Sequence, residues 1–367
     1  MKEKRYAILS SDYPSMNYPN VMGFVHSRAK AYKKLGINIE VFCISKSTER
    51  YEYEGILVNR DNKDNLRQKL VNNKYDAILI HFLDQDKADI VGDQECYIWV
   101  HGFEALSWKR RLFNLNPRLP LYIYENTKQL RNFKNFAKNN KNAKFIFVSE
   151  WMRNVTCADI NYEIKNYIII PNFIDEDTFS YHEKNPELRK KILLIRSFAN
   201  KKYANDLSIK FIQKLSKKEY FGELEFAIYG TGKFFNSLTN KIKGYSNIKI
   251  KNNFLTQDEV AKLHNQYGIF LCPTRQDAQG VSMCEAMSSG LIPLTSNNTA
   301  IPEFVQNKTE GLLCNNEDIS SFVEAYETLY NNPEIFSKMS KNASLRMDRQ
   351  CSLENTILEE IKYIEDK

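Results

Sequence analysis

Short, continuous apolar runs recur along the whole chain, separated by stretches with helical spacing. In the first half they fall at residues 6–10, 38–44, 77–82, 97–100, 144–148 and 167–170. Continuous rather than alternating hydrophobicity marks strands buried on both faces of a parallel sheet. Between the first two runs, residues 21–35 read as a helix that Gly36 stops. The pattern restarts with runs at 191–195, 224–229, 248–251, 269–272, 291–295 and 311–313. One intervening helix opens with the capping-box spacing of Thr256 and Glu259. Residues 320–330, 333–347 and 353–364 form a helical tail with no strand after it. The polar, Pro-containing stretch 171–189 reads as a linker, which places the domain boundary near 175–190. The expected fold class is α/β: two Rossmann-like, doubly wound domains, residues 1–175 and 185–350. Ligands of open α/β sheets sit beyond the carboxyl ends of the strands, so chemistry is expected in loops of both halves, facing one interdomain cleft.

Composition narrows the class. A chain of 367 residues suits two domains, each large enough for its own core. The apolar runs are strand-length, far short of the roughly 20 residues of a membrane helix. Residues 1–5 lead into a short apolar run without a cleavage-type site, an expectation against a secretory signal. Seven scattered cysteines, odd in number and without C-x-x-C, suit a reduced cytoplasmic protein rather than a disulfide framework or zinc site. Fifty-two basic against 45 acidic residues give a net charge of +7, which suits anionic partners without choosing among them.

The densest chemistry lies at residues 270–304, FLCPTRQDAQGVSMCEAMSSGLIPLTSNNTAIPEF, read as strand, loop, helix, strand, turn, helix. A helix beginning near Gly280, Val281 and Ser282 offers backbone N–H groups to an anion, and Gly280 allows close approach of a phosphate. Asp277 lies in the loop. Glu285, on the helix, is placed to accept hydrogen bonds from ribose hydroxyls. An Asx-type turn at Asp277 and a solvated Glu285 are the plainer alternatives.

The string P-T-R-x-D-x-x-G-x-x-x-x-E-A-M-x-x-G-x-x-P resembles the donor-site signature of retaining GT-B glycosyltransferases of the group-one family (glycosyltransferase family 4). The resemblance implies that Glu285 binds the donor ribose and that Asp277, standing where the family usually has Glu, faces the sugar. Gly280, Val281 and Ser282 would cradle the diphosphate. Arg196, with Lys201 or Lys202 after it, resembles the family's Arg–Lys pair on the diphosphate, Lys202 being favoured although Tyr203 replaces the usual Gly. Gly230 sits in a V-G-x-G-like segment, and Glu303 in a G-x-x-E-like turn with Ala300 for Gly. In the first half, Gly23 and His26 resemble the family's Gly-rich turn without its double Gly. His101 and Glu104 resemble its H-G-x-E, whose histidine faces the donor sugar. The family's last helix, here 352–367, packs back on the first domain.

The implied activity is transfer of a sugar, with retention, from a nucleotide-diphosphate sugar to an acceptor hydroxyl, needing neither cofactor nor metal. Arginine, lysine and helix N-terminus supply the charge stabilisation. The acceptor is expected to be a saccharide or a lipid-linked one, in bacterial surface-polysaccharide, lipopolysaccharide, capsule or wall-polymer synthesis. A nucleotide-sugar epimerase on the same fold is the alternative. A non-catalytic nucleotide- or nucleic-acid-binding protein is disfavoured, because aromatic residues do not interleave with the basic runs. Asp84-Gln85-Asp86, after an apolar run, could hold a metal, but D-x-D is a common tripeptide. The basic segments 108–113 and 128–144 either pack as a solvated helix or lie on an anionic bilayer at the inner face of the cytoplasmic membrane.

Overall fold

A computed structural model describes residues 4–18, 21–114 and 118–366. They form two compact units: Met1–Phe173 with Leu353–Lys367, and Ile174–Ser352.

The first unit holds eight strands: β1 (Arg5–Ser10), β2 (Asn38–Ile44), β3 (Glu49–Tyr53), β4 (Ile56–Asp61), β5 (Ala77–His81), β6 (Cys96–Val100), β7 (Ala143–Phe147) and β8 (Tyr167–Ile169). Their order is β3-β4-β2-β1-β5-β6-β7-β8, parallel except for the β3–β4 hairpin. The central strands β5 and β6 are buried at every position, as their unbroken apolar sequence requires. The hairpin departs from the sequence reading. It turns at Glu54-Gly55, both with positive φ (46° and 77°), a twist suited to a two-residue turn but carried by an atypical residue.

The terminal segment 353–366 belongs to this unit. Its Glu360 is buried and accepts from Arg28 Nε and Trp99 Nε1, both at 3.1 Å, and from the Tyr32 hydroxyl. Tyr97 donates to the Ile364 carbonyl at 2.8 Å.

The second unit has six parallel strands: β9 (Lys191–Ile195), β10 (Glu225–Tyr229), β11 (Ile248–Lys251), β12 (Ile269–Leu271), β13 (Ile292–Ser296) and β14 (Leu312–Cys314). Their order is β11-β10-β9-β12-β13-β14. The order reverses direction between β9 and β12, so a topological switch point opens at their carboxyl ends. The capping box of Thr256 and Glu259 forms. Residues 174–184 are part of this unit rather than a free linker. Ser288 donates to the Phe179 carbonyl at 2.8 Å, and the buried Lys184 ammonium to that of His264 at 2.6 Å.

Candidate functional site

At the switch point of the second unit, Arg196 follows β9 directly. Its side chain is 7% exposed, and Nε and Nη2 are buried with no partner among the described residues. The nearest carboxylate oxygen, Asp277 Oδ2, is 3.9 Å from Nη1, beyond hydrogen-bond distance. A buried guanidinium whose donors are left open is costly unless an anion completes it. The other Asp277 oxygen accepts from the Gly280 amide at 3.1 Å, so the Asx-type turn is present and ties the loop to the helix start. Gly280, at φ 83° and ψ 54°, caps the helix Val281–Ser288 in the left-handed region. That geometry leaves the Val281 and Ser282 amides without intrahelical carbonyls.

Glu285 lies one turn on. Burial pushes its carboxyl up to about 8, with the Arg196 charge acting in the opposite direction.

Tyr203 joins the two cations. Its ring lies 4.9 Å from the Arg196 guanidinium carbon and 5.1 Å from Lys202 Nζ. Lys201 is exposed. The family's usual Gly is absent here, and the left-handed backbone falls one residue later, on Ala204 (φ 45°). The lysine loop is clamped by a residue that sequence reasoning missed. Arg275 donates its backbone N–H to the Lys202 carbonyl at 2.8 Å and Nη1 to that of Lys201 at 2.9 Å. The same guanidinium pairs with Asp206 at 2.8 and 2.9 Å, and with Glu317 at 2.7 and 3.0 Å.

Gly230 is needed where backbones touch. With φ +154°, a Cβ there would fall 2.0 Å from the Arg196 carbonyl oxygen. It sets the approach of the β10 loop to Arg196. Glu303 lies in the short helix Ile301–Phe304, and its carbonyl accepts from Arg346 at 2.7 Å.

In the first unit the predicted residues separate. His101, after β6, has Nε2 2.9 Å from Nδ1 of His81. The rings of Phe24 and Phe82 each lie 4.8 Å from it. Glu104 is 1% exposed. Its carboxylate accepts the amides of His101 and Gly102, the latter at 3.0 Å. Burial pushes it up to about 7 against those amide bonds. It organises the loop that carries His101 and also lines the cavity beside that loop.

His26 is likewise engaged, with Nδ1 2.8 Å from the Tyr13 hydroxyl and Nε2 3.2 Å from Glu54. Burial lowers its pKa, and Glu54 opposes this. Gly23 begins the helix Gly23–Lys34, but the left-handed position is Met22 (φ 52°), and Phe24 is the residue that reaches His101. Asp84 caps the helix Gln85–Val91 and pairs with Lys87, while Asp86 pairs with Lys63 at 3.3 Å. No group of three or more His, Cys, Asp or Glu is arranged for a metal among the described residues.

Beside His101 lies a cavity of about 310 Å³, lined among others by Phe82, Phe103, Asp84, Arg111, Tyr122 and Glu125. The basic stretch 128–144 lies mostly on the helix Leu119–Asn139, of which Phe133 is buried whereas Leu121 and Tyr124 are 55% and 67% exposed. No helix among the described residues is long and apolar enough to cross a membrane.

Residues 175–346 match the family described as Glycosyl transferases group 1. An uncharacterized glycosyltransferase of Haemophilus influenzae is 27% identical over 206 residues, 55% of this chain and 56% of its own length. The chain thus spans little more than half of that relative. The UDP-Gal:alpha-D-GlcNAc-diphosphoundecaprenol alpha-1,3-galactosyltransferase of Escherichia coli is 22% identical over 300 residues, 76% of this chain and 72% of its own. Sucrose-phosphate synthase from Thermosynechococcus elongatus superposes with a TM-score of 0.76 at 12% identity, covering 98% of both chains. With its two doubly wound parallel sheets, the chain has the GT-B fold of glycosyltransferases. The match to the Glycosyl transferases group 1 family falls on the second of the two units.

Proposed function

We propose that this protein is a retaining, metal-independent glycosyltransferase that moves a sugar from a nucleotide-diphosphate sugar to an acceptor hydroxyl. The observation that carries this reading is Arg196: a buried guanidinium with open donors, joined through Asp277 to the amide-bearing start of the Val281–Ser288 helix. A pyrophosphate is the anion that would satisfy both at once. Arg196 and Lys202 offset charge developing on the leaving nucleoside diphosphate, the task a divalent metal performs elsewhere. Glu285 accepts from the ribose. Asp277, with Oδ1 held by Gly280, turns Oδ2 to the sugar. His101 donates to a sugar hydroxyl, and Glu303 and Gly230 complete the donor loops.

The acceptor saccharide takes the aromatic-lined cavity beside His101. The relative from E. coli is named for a diphosphoundecaprenol-linked acceptor, which favours a lipid-linked acceptor and bacterial surface-polymer synthesis here. The exposed Leu121 and Tyr124, with the basic residues of 108–113 and 128–144, would then rest on an anionic inner leaflet.

Thermal unfolding with UDP, GDP, ADP and CDP tests the site, since a ligand of the native state raises the transition. One nucleotide is expected to raise it in the native chain and not in Arg196→Ala. Its hexose conjugates, incubated with candidate acceptors, should yield a product with the donor's anomeric configuration. Stabilisation by none of the four refutes the donor site; donor isomerised without transfer identifies an epimerase.

A further inference from the structure

His81 takes no part in the reading above, yet it is fully buried at the end of β5. Its ring stacks on His101, with centroids 5.2 Å apart and planes 18° apart, and lies 5.0 Å from the Trp99 ring at 27°. The Arg28 guanidinium lies 5.1 Å from that Trp99 ring. The contact between His81 Nδ1 and His101 Nε2, at 2.9 Å, needs one proton between two ring nitrogens. His81 Nε2 is buried without a partner.

Were the shared proton to belong to His101, neutral His81 would carry its own on Nε2 and bury an orphan N–H. An orphan lone pair is the milder defect. Neither ring is charged. Burial lowers both pKa values well below the ordinary range, Arg28 adds like charge to both, and Lys87 adds to that on His81. The one carboxylate in the His101 loop, Glu104, is turned to the His101 and Gly102 amides. The remaining neighbours Phe24 and Phe82 are apolar.

We infer that His81 is a positioning residue: it donates Nδ1–H to Nε2 of His101 and fixes His101 as the neutral tautomer that carries its proton on Nδ1. Nδ1 of His101 has no partner among the described residues. The ring therefore offers a hydrogen bond without a charge. Its use on a donor sugar rests on the function proposed above.

Long-range proton–nitrogen correlation on the full chain with nitrogen-labelled histidine tests this without any ligand. His101 is expected to show a protonated Nδ1 and an unprotonated Nε2 across pH 6 to 8. His81→Asn, whose amide can donate in the same place, should keep that pattern, and His81→Leu should lose it. A proton found on Nε2 of native His101, or a tautomer unmoved in His81→Leu, overturns the assignment. With the nucleotide sugar that passes the screen above, His81→Leu should lower kcat/KM about tenfold and His81→Asn by less than about threefold. A tautomer that changes while kcat/KM does not would uphold the positioning role and refute the use of His101 in transfer.

Discussion

The carboxyl edges of the two sheets are built alike and furnished oppositely. In the second unit, the turn after β9 leaves Arg196 buried with open donors, and the neighbouring helix start adds amides. In the first, the turn after β6 pairs most of its polar groups internally: Glu104 takes two loop amides, and His101 meets His81, whose Nε2 stays open. One edge carries a buried guanidinium with two donors open and only a distant carboxylate, Asp277, beside it. The other presents largely paired groups beside a cavity lined by aromatic and charged side chains. Under the function proposed above, the same topology would serve a phosphate where donors are left open and a hydroxyl-rich ligand where the loop polar groups are paired.

Removing the cation should break this contrast most strongly. Arg196→Ala is expected to lower kcat/KM for the nucleotide sugar by more than about 100-fold, about 2.7 kcal/mol of transition-state stabilisation. Arg196→Lys should recover only part, since an ammonium cannot reproduce the planar fork. Steady-state kinetics with the donor varied decides it, and an Ala variant within twofold of native would remove Arg196 from the site. A smaller effect should follow from unclamping the lysine loop. Arg275→Ala is expected to cost about tenfold in kcat/KM, mostly through donor KM, because the Lys201 carbonyl loses its side-chain clamp while the backbone bond to the Lys202 carbonyl remains. Unchanged donor KM would show that the loop is held by other means.

The mildest test uses protons. Glu104 and Glu285 keep theirs in the folded chain up to about 7 and about 8, against an ordinary 4.5. The unfolded chain therefore binds fewer protons over that window, and stability falls as pH rises from about 4.5 to about 8. Glu285→Gln should flatten the part between about 7 and 8, as read from denaturant unfolding at each pH. A slope unchanged by the substitution would assign it to another group.

The legibility of these two edges in the sequence differed for physical reasons. The fold and the loop after β12 were written locally: unbroken apolar runs announce buried parallel strands, and the spacing from Asp277 through Gly280 to Glu285 describes one loop and one helix. The β3–β4 hairpin escaped because β3 is mostly polar, β4 is apolar only over Ile56–Val58, and its turn is Glu54-Gly55 rather than a favoured turn pair. Gly23, His26 and Glu104 could be noticed in the sequence, but not that the left-handed position would be Met22, that His26 would be occupied by Tyr13 and Glu54, or that Glu104 would serve backbone amides. Those outcomes depend on partners brought in from elsewhere in the chain.

The sequence by itself determined an α/β chain with two Rossmann-like sheets and a helix opened by Gly280 after the Asp277 loop, because periodicity and glycine placement act over a few neighbouring residues. Only the tertiary structure decided that Tyr203 shares Arg196 with Lys202, that Arg275 clamps the lysine loop, and that His81 meets His101. Such pairings are fixed by which strand edges and loops the packed core brings together. The buried bond of Arg28 to Glu360, 332 residues apart, shows how far along the chain that selection reaches.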